Sequence, residues 1–554
     1  MKQTLAHCIA QSIQQARQES LFQFDPELTP EIVIENPAEK SHGDFACTIA
    51  MRLAKVAKMS PRAIAEIIAD RLEHETIAKV EIAGPGFINF FIQPSYYFQQ
   101  VQQILSAGEN YGRQPVCTDK SVMVEFVSAN PTGPLHIGHG RGAAVGDAIA
   151  RILSFAGWNI FREYYVNDAG NQMNNLGRST YIRYMQLLGY DIQLDDQCYQ
   201  GEYIRDIARD ILTKYGPKFE GDESCISLFT QLTGDVILQG IREDLATFRV
   251  YFDNYFSEIT LHNDGQVEQK LSELKQQNKI YEKDSALWAR TSDFGDDKDR
   301  VVQRTNGETT YFAADIAYHR NKIERGFHTM IDVWGADHHG YVPRMKAAIQ
   351  LLGRDPADLE IVLIQLVSLL RSGEPVAMST RSGEFDSLID VINEVGTDAA
   401  RYFFLMRRSD SHLDFDLELA KQQTNDNPVF YVQYCHARCC SILEQLKTNN
   451  LYYNINPQQI NLDCLDTTQE LELCKSLCRF PEVIQQAAST REPHRIPHYL
   501  NEVASAFHSF YNVCHVMGAP DDKRLKARTL LVEATAQVVR NGLEVIGVSA
   551  PQKM

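Results

Sequence analysis

Leu5, Ile9 and Ile13 recur every four residues in MKQTLAHCIAQSIQQA, which predicts one face of an amphipathic helix and lacks the unbroken apolar core of a secretion leader. A second helix is predicted in MSPRAIAEIIADRL, where Ser60 can cap the first turn and Pro61 suits its first position. The run VEIAGPGFINFFIQ reads as an aromatic strand after a Gly-Pro-Gly turn, so residues 1–112 form a small α/β domain. From about residue 115 strand-like and helix-like stretches alternate: SVMVEFV, a helix through GAAVGDAIARILSFAG, NIFREYYVND, then TYFAADIAYH, TMIDVWGADHHG and IVLIQLV. That order predicts a parallel, doubly wound sheet over 113–395, with the more polar segment of about 175–300 inserted into it. Beyond 395 nearly every stretch is helical, as in Leu500, Val503, Phe507 and Tyr511 at three- and four-residue spacing. The expected fold class is α/β: a Rossmann-type parallel-sheet domain between a small N-terminal α/β domain and an all-α helical bundle over 396–554.

Composition agrees with several domains, because 554 residues exceed what one core organises. Apolar residues at 44% and charged residues at 23% point to neither disorder nor a membrane class, and the longest strongly apolar run, IVLIQLVSLL, is about half a membrane span. A cytoplasmic monomer without membrane association is expected. The densest cysteine group, Cys435, Cys439, Cys440, Cys474 and Cys478, contains no CxxC pair and reads as buried thiols; no metal site is expected. A net charge of −18 argues against indiscriminate nucleic-acid coating and leaves room only for a local basic face.

The stretch SANPTGPLHIGHGRGAA carries the chemistry. His136 and His139 could share a helical face, but no third ligand of diagnostic spacing makes them a zinc site. Gly138, Gly140 and Ala143 fit a dinucleotide fingerprint with Glu163 twenty residues on, yet twelve residues separate Phe126 from Gly138 where a tight turn is required. A phosphate cradle uses every residue. Small residues admit ATP to a helix N-terminus, and two imidazoles donate to charge developing on the phosphates.

HIGH at 136–139 resembles the signature of class I aminoacyl-tRNA synthetases, and VEFVSANPTGPLHIGHGRGAAVGDAIARIL followed by REYYVNDAGNQ resembles the bacterial arginyl-tRNA synthetase family. The likeness runs along nearly the whole chain, through HGDFACTIA, GPGFINFF, GDDKDRVV, TYFAADIAYHRNK, WGADHHGYVPRMKAA, RRSDSHLDFD and GLEVIGVSAPQKM. It implies a class I catalytic domain that joins arginine to ATP and then to the terminal ribose of tRNA(Arg), with Mg2+ as helper and bound tRNA needed to complete the site. His136 and His139 then serve catalysis, and Pro134, Gly138, Gly140 and Met378 bind ATP; GADHHG follows the strand IDVW at the carboxyl edge of the sheet, where Asp337 or His338 is expected to hold the adenosine ribose. Arginine is a planar fork suited to paired carboxylates. The matching positions are Glu125 and Asp315, with Tyr311 lining the pocket, Asn130 holding the backbone end and Ser128 beside it.

The second class I signature, usually KMSKS, corresponds here to PVAMSTRSGEF, so Ala377 and Thr380 replace two lysines; Arg381, Ser379 and, further off, Arg371 are the candidates to compensate. No lysine precedes HIGH either, since PTGP has Gly133. For tRNA, the resemblance points to Phe87, Asn89 and Gln93 at the elbow and to Tyr434, Arg438 and Met554 at the anticodon. His436, Lys523, Arg524, Lys526 and Arg528 add to an expected basic surface on the bundle. Asp293-Phe294-Gly295 spells a kinase triplet, but no HRD-type loop accompanies it. Two other classes compete: an RNA-binding regulatory protein that has lost activation, supported by the missing lysines, and a small-molecule nucleotidyltransferase, which would not need the helical bundle.

Overall fold

A computed structural model describes residues 1–37, 39–376, 387–451 and 456–554, and these form two compact units. The first unit contains residues 1–107, 445–478 and 509–534. Its helix Lys2–Gln18 buries Leu5, Ile9 and Ile13, and the helix Pro61–Ala69 starts where Ser60 Oγ accepts the Ala63 N–H, as the sequence suggests. Strands β1 (Ile34–Glu35), β2 (Phe45–Cys47), β3 (Ile77–Ala83) and β4 (Phe87–Ile92) form an antiparallel sheet of order β1-β2-β4-β3. Helix Thr468–Cys478 belongs to the same unit: Lys475 reaches Asp44 at 2.6 Å and lies 5.6 Å from the Tyr97 ring. A cut after residue 110 would therefore uncover Leu473, Cys474 and Leu477, which are buried in the intact chain.

The second unit contains residues 108–444, 479–508 and 535–554. At its centre lies the doubly wound sheet, made of β5 (Cys117–Glu125), β6 (Trp158–Val166), β7 (Asn254–Ser257), β11 (Thr329–Gly335) and β12 (Leu359–Ile364). The order is β12-β11-β5-β6-β7 and every pairing is parallel. Val122, Met123 and Val124 are fully buried, as expected for a strand covered on both faces. Successive strands step from β5 to β7 on one side and return through β11 and β12 on the other, so the topological switch lies at the carboxyl ends of β5 and β11, where such sheets bind ligands. The edge strand β7 comes from inside the polar 175–300 segment; that segment also supplies the helices Glu202–Tyr215 and Ile226–Thr247. Strands β8 (Ile280–Lys283), β9 (Ala286–Ala289) and β10 (Arg300–Gln303) form a separate small antiparallel sheet.

The run IVLIQLVSLL divides between two sheets: β12 ends at Ile364 and β13 (Val367–Arg371) pairs with β14 (Glu374–Pro375) and β15 (Leu413–Asp416). Among the described residues, no helix is long and apolar enough to cross a membrane.

Helix Ile137–Phe155 crosses from β5 to β6 and packs close to the sheet through Gly146, where an added Cβ would meet the root of the Phe126 ring at 2.3 Å. We expect Gly146→Ala to destabilise the fold by about 1–3 kcal/mol, since overpacking outweighs the usual helical gain. A denaturant midpoint equal to or above that of the parent would contradict this.

Candidate active site

The sheet register lines up three acids. Asp332 on β11 pairs with Glu125 on β5, and Glu125 pairs with Glu163 on β6, so three carboxylates stand side by side at the carboxyl edge of adjacent strands. Like charges in register repel. The helix Tyr311–Glu324 lies over this row and answers it with cations. Lys322 Nζ donates to Glu125 Oε2 at 2.6 Å and to Asp332 Oδ1 at 2.8 Å, while Arg325, just past the helix, grips both oxygens of Glu163 at 2.6 and 2.7 Å. Tyr318 Oη and Asn254 Nδ2 complete the shell of Glu163 at 2.8 Å each. Burial opposes ionisation of Glu163, but these donors hold its carboxyl below the usual range. No acceptor there is left for a ribose, which removes the dinucleotide reading.

A cavity of about 510 Å3 opens above the row. Glu125, Glu258, Asp315 and Asp332 line it, and the basic side chains on its wall are the imidazoles of His319 and His338. Asp315 hydrogen-bonds the Tyr341 hydroxyl through Oδ2, and burial pushes its carboxyl up to about 6 despite that bond. His319, one turn on, spans the Asp315 carbonyl at 2.9 Å and Asp332 Oδ2 at 3.1 Å. Burial works against charge on Asp332 too, yet Lys322 and His319 bring its carboxyl down to about 2. Glu125 stays above the usual carboxylate value because burial outweighs the Lys322 attraction. Glu258 is also raised by burial, with His262 at 3.6 Å.

Leaving β5, the chain bends sharply: Val127 and Ser128 have φ of 67° and 41°, a left-handed pair that is costly for a β-branched valine. The bend aims Ser128 Oγ at Glu125 Oε1 (3.1 Å) while the same oxygen accepts the Tyr165 N–H (3.1 Å). Asn130 Nδ2 donates to Gln172 Oε1 at 2.6 Å, and both residues line the cavity.

Six residues later, His136 caps the helix Ile137–Phe155. Its Nδ1 accepts the N–H groups of Gly138 (3.1 Å) and His139 (3.4 Å), and His139 Nδ1 accepts the His136 N–H (3.3 Å). With both Nδ1 atoms accepting, the proton of each ring resides on Nε2, and the rings stack at 3.6 Å. Burial lowers both imidazoles, His139 to about 3, so both are neutral Nε2–H donors at neutral pH. Gly138 allows this fold-back, since a Cβ there would meet His136 Cε1 at 2.9 Å. Gly140 is a different case. Its missing Cβ faces Leu388 at 2.5 Å in the interior, so packing alone requires a glycine there. Opposite the cap, His136 forms a bridge with Ser387, and Leu388 N donates to the Leu135 carbonyl at 2.8 Å.

Profile matches along the chain fall in three blocks: an arginyl-tRNA synthetase N-terminal domain over residues 3–92, a class I (R) tRNA synthetase catalytic domain over 100–412 and a DALR anticodon-binding domain over 432–554. The chain belongs to the arginyl-tRNA synthetase family. It is 52% identical to an arginine-tRNA ligase of Citrifermentans bemidjiense over the full length of both chains and 51% identical to one of Syntrophotalea carbinolica, again over the full length of both. The fold matches the arginyl-tRNA synthetase of Thermus thermophilus with a TM-score of 0.77 at 22% identity, covering all of each chain.

The remaining positions expected from the arginyl-tRNA synthetase motifs divide unevenly. Tyr311 is exposed at the start of its helix and lines the cavity, as does His338; Asp337 is exposed and 3.5 Å from His338, and Pro134 is exposed. Met378, Ser379 and Arg381, with Ala377 and Thr380, lie outside the described residues. Arg371 is engaged by Glu394 at 2.7 Å and Glu418 at 3.1 Å. Asp293-Phe294-Gly295 closes a single 3-10 turn, with Gly295 at φ 94°.

Of the expected tRNA contacts, Phe87 and Met554 are exposed and Gln93 is half-buried, but Asn89 is 3% exposed within the sheet, where β4, paired on both edges by β2 and β3, buries Ile88, Asn89 and Phe90 in succession. Arg438 lies 4.7 Å from the Tyr434 ring, which also stacks on Phe430 and His508. His436 is buried against the Pro551 carbonyl at 2.8 Å. The basic stretch 523–528 is spent largely inside its own unit. Arg528 is buried on Glu470 at 2.7 Å, and Arg524 reaches Asp466 at 3.0 Å.

Sequence reasoning missed Lys322, His319, Asp332, Tyr341 and Glu258. A signal existed for the first two: they follow Asp315 by seven and four residues, on one helical face.

Proposed function

We infer that the chain is an arginine-tRNA ligase: it condenses arginine with ATP to arginyl-adenylate and pyrophosphate, then passes the arginyl group to the 3′-terminal ribose of tRNA(Arg). The observation that carries the choice of amino acid is the acid-lined cavity at the switch point of the sheet, which complements a cationic side chain. Glu125 and Asp315 take the guanidinium fork, Tyr311 covers it, and Asn130 with Ser128 orients the backbone end.

ATP is the second substrate; magnesium, where bound with it, would supply neutralisation of the phosphate charge. Pro134, Gly138 and His338 border the nucleotide, with Asp337 and Met378 assigned beside it; Gly140 contributes through packing. The arginine α-carboxylate attacks the α-phosphorus, the bond to pyrophosphate breaks, and the Nε2–H groups of His136 and His139 stabilise the charge that builds on the phosphate oxygens. Arg381 and Ser379 supply further help to the leaving group. In the second step the 2′-hydroxyl of the terminal ribose attacks the adenylate carbonyl and AMP leaves. Residues 1–112 serve the tRNA elbow through Phe87 and Gln93, residues 113–395 the chemistry, and residues 396–554 the anticodon through Tyr434, Arg438 and Met554. The protein acts as a cytoplasmic monomer.

One pH effect follows from Asp315. Arginine binding favours its carboxylate form, whereas burial lifts the free group to about 6. The arginine KM is therefore expected to be flat above pH 7 and to rise as pH falls below 6; a KM flat from pH 8 to 5 would contradict the assignment. The function itself is tested by charging with labelled arginine: ATP-dependent arginylation of tRNA(Arg), absent with lysine, is expected, and no charging by the folded chain would overturn it.

A further inference from the structure

Lys322 is fully buried and does not line the cavity, yet its ammonium touches Glu125, which does. Of its three protons, one goes to Glu125, one to Asp332, and the Tyr318 ring lies 4.5 Å away from the nitrogen. Asp332 uses both oxygens internally, on Lys322 and His319. Glu125 differs. It takes Lys322 on Oε2 and the Ser128 hydroxyl on Oε1, and a carboxylate with about four lone-pair sites keeps one on each oxygen for a ligand.

We propose that Lys322 is a positioning residue for amino-acid selection, holding Glu125 as an oriented carboxylate whose remaining lone pairs face the cavity. This rests on the reading that Glu125 accepts from the substrate guanidinium. The physical need is plain from the register: Asp332, Glu125 and Glu163 are neighbours on three strands, and Arg325 serves only Glu163. Without Lys322, Glu125 and Asp332 face each other with no shared cation. Close carboxylates then compete for one proton, and Glu125 loses its anchor. A merely structural ion pair would instead show itself in stability and leave substrate constants untouched.

The test is the double variant Lys322→Met/Asp332→Asn, which removes the cation and one carboxylate together and so leaves the summed charge unchanged. Measured against Asp332→Asn alone, which accounts for the loss of that cavity-lining acid, the double variant is expected to raise the arginine KM about 10- to 100-fold, with ATP KM and thermal midpoint near those of the parent. A folded double variant with the arginine KM of Asp332→Asn alone overturns the proposal. Glu125→Gln is measured alongside. If it also keeps the parent's arginine KM, the reading of Glu125 as a substrate carboxylate has failed; if it raises KM while the double variant does not, only the positioning role has failed. Should the double variant not fold, Lys322→Arg takes its place: it keeps the charge but replaces the point donor by a planar fork, so a raised arginine KM supports the role and an unchanged one overturns it.

Discussion

Replacing Asp315 by alanine is expected to raise the arginine KM about 10²- to 10³-fold, the cost of leaving a guanidinium half unpaired in a buried site. The ATP KM should stay within about twofold, because the loss is confined to amino-acid binding. The size of the effect follows from the surroundings. Asp315 faces the cavity beside Glu125 and Glu258, and the Tyr341 hydroxyl is already committed to its Oδ2. Once the carboxylate is gone, Tyr341 loses its acceptor as well, and nothing on that wall replaces the charge. An unchanged arginine KM would take Asp315 out of the pocket. Equal losses for arginine and ATP would point to a collapsed helix Tyr311–Glu324 in place of a lost contact.

The second large effect is expected at the helix cap. His139→Ala should lower kcat for adenylate formation about 10²- to 10³-fold, the usual cost of removing one donor to developing charge. Arginine KM should change little, since His139 does not line the cavity. The same side chain closes the cap by accepting the His136 backbone N–H, so the variant also removes that acceptor and the stack on the His136 ring, while the ring keeps its bonds from the backbone N–H groups of residues 138 and 139. The protonation state sharpens the account. A histidine held at about 3 is neutral throughout the working range, and the cap requires an unprotonated Nδ1. Because the folded value is depressed, the unfolded chain binds more protons once pH drops below the ordinary imidazole value of about 6.5. Stability from this group is thus complete above that value and declines as pH falls toward 3. A kcat profile with an inflection near 6.5 that vanishes in His139→Ala would contradict a neutral donor.

Much of the site was legible because it is written on single segments. Glu125, Ser128, Asn130, His136 and His139 lie within fifteen residues, on a strand end, a bend and a helix cap; the residues alone single out the two histidines, and the motifs of the resemblance point to the other three. Tyr311 and Asp315 likewise share one helix. What escaped depends on register between distant strands. Lys322 looks like an ordinary late-helix cation until β11 is set beside β5, about 200 residues apart in sequence, and Asp332 falls opposite Glu125. The same blindness misplaced cations in the bundle: Arg528 was expected on a basic surface, but its partner Glu470 comes from another helix and takes it into the interior. Asn89 was misread for a simpler reason. Its strand buries Ile88, Asn89 and Phe90 in succession, so a polar residue in an aromatic strand is no evidence of exposure. The altered second signature raises a question that chemistry must answer, since Ala377 and Thr380 stand where the KMSKS pattern has its two lysines.

Arginine-dependent exchange of labelled pyrophosphate into ATP addresses that question and the central claim together. With the purified chain, exchange is expected with arginine and not with lysine, and only when tRNA(Arg) is present. No exchange in any mixture, from folded protein that still binds the tRNA, would contradict the account and leave a synthetase-derived RNA-binding protein in its place.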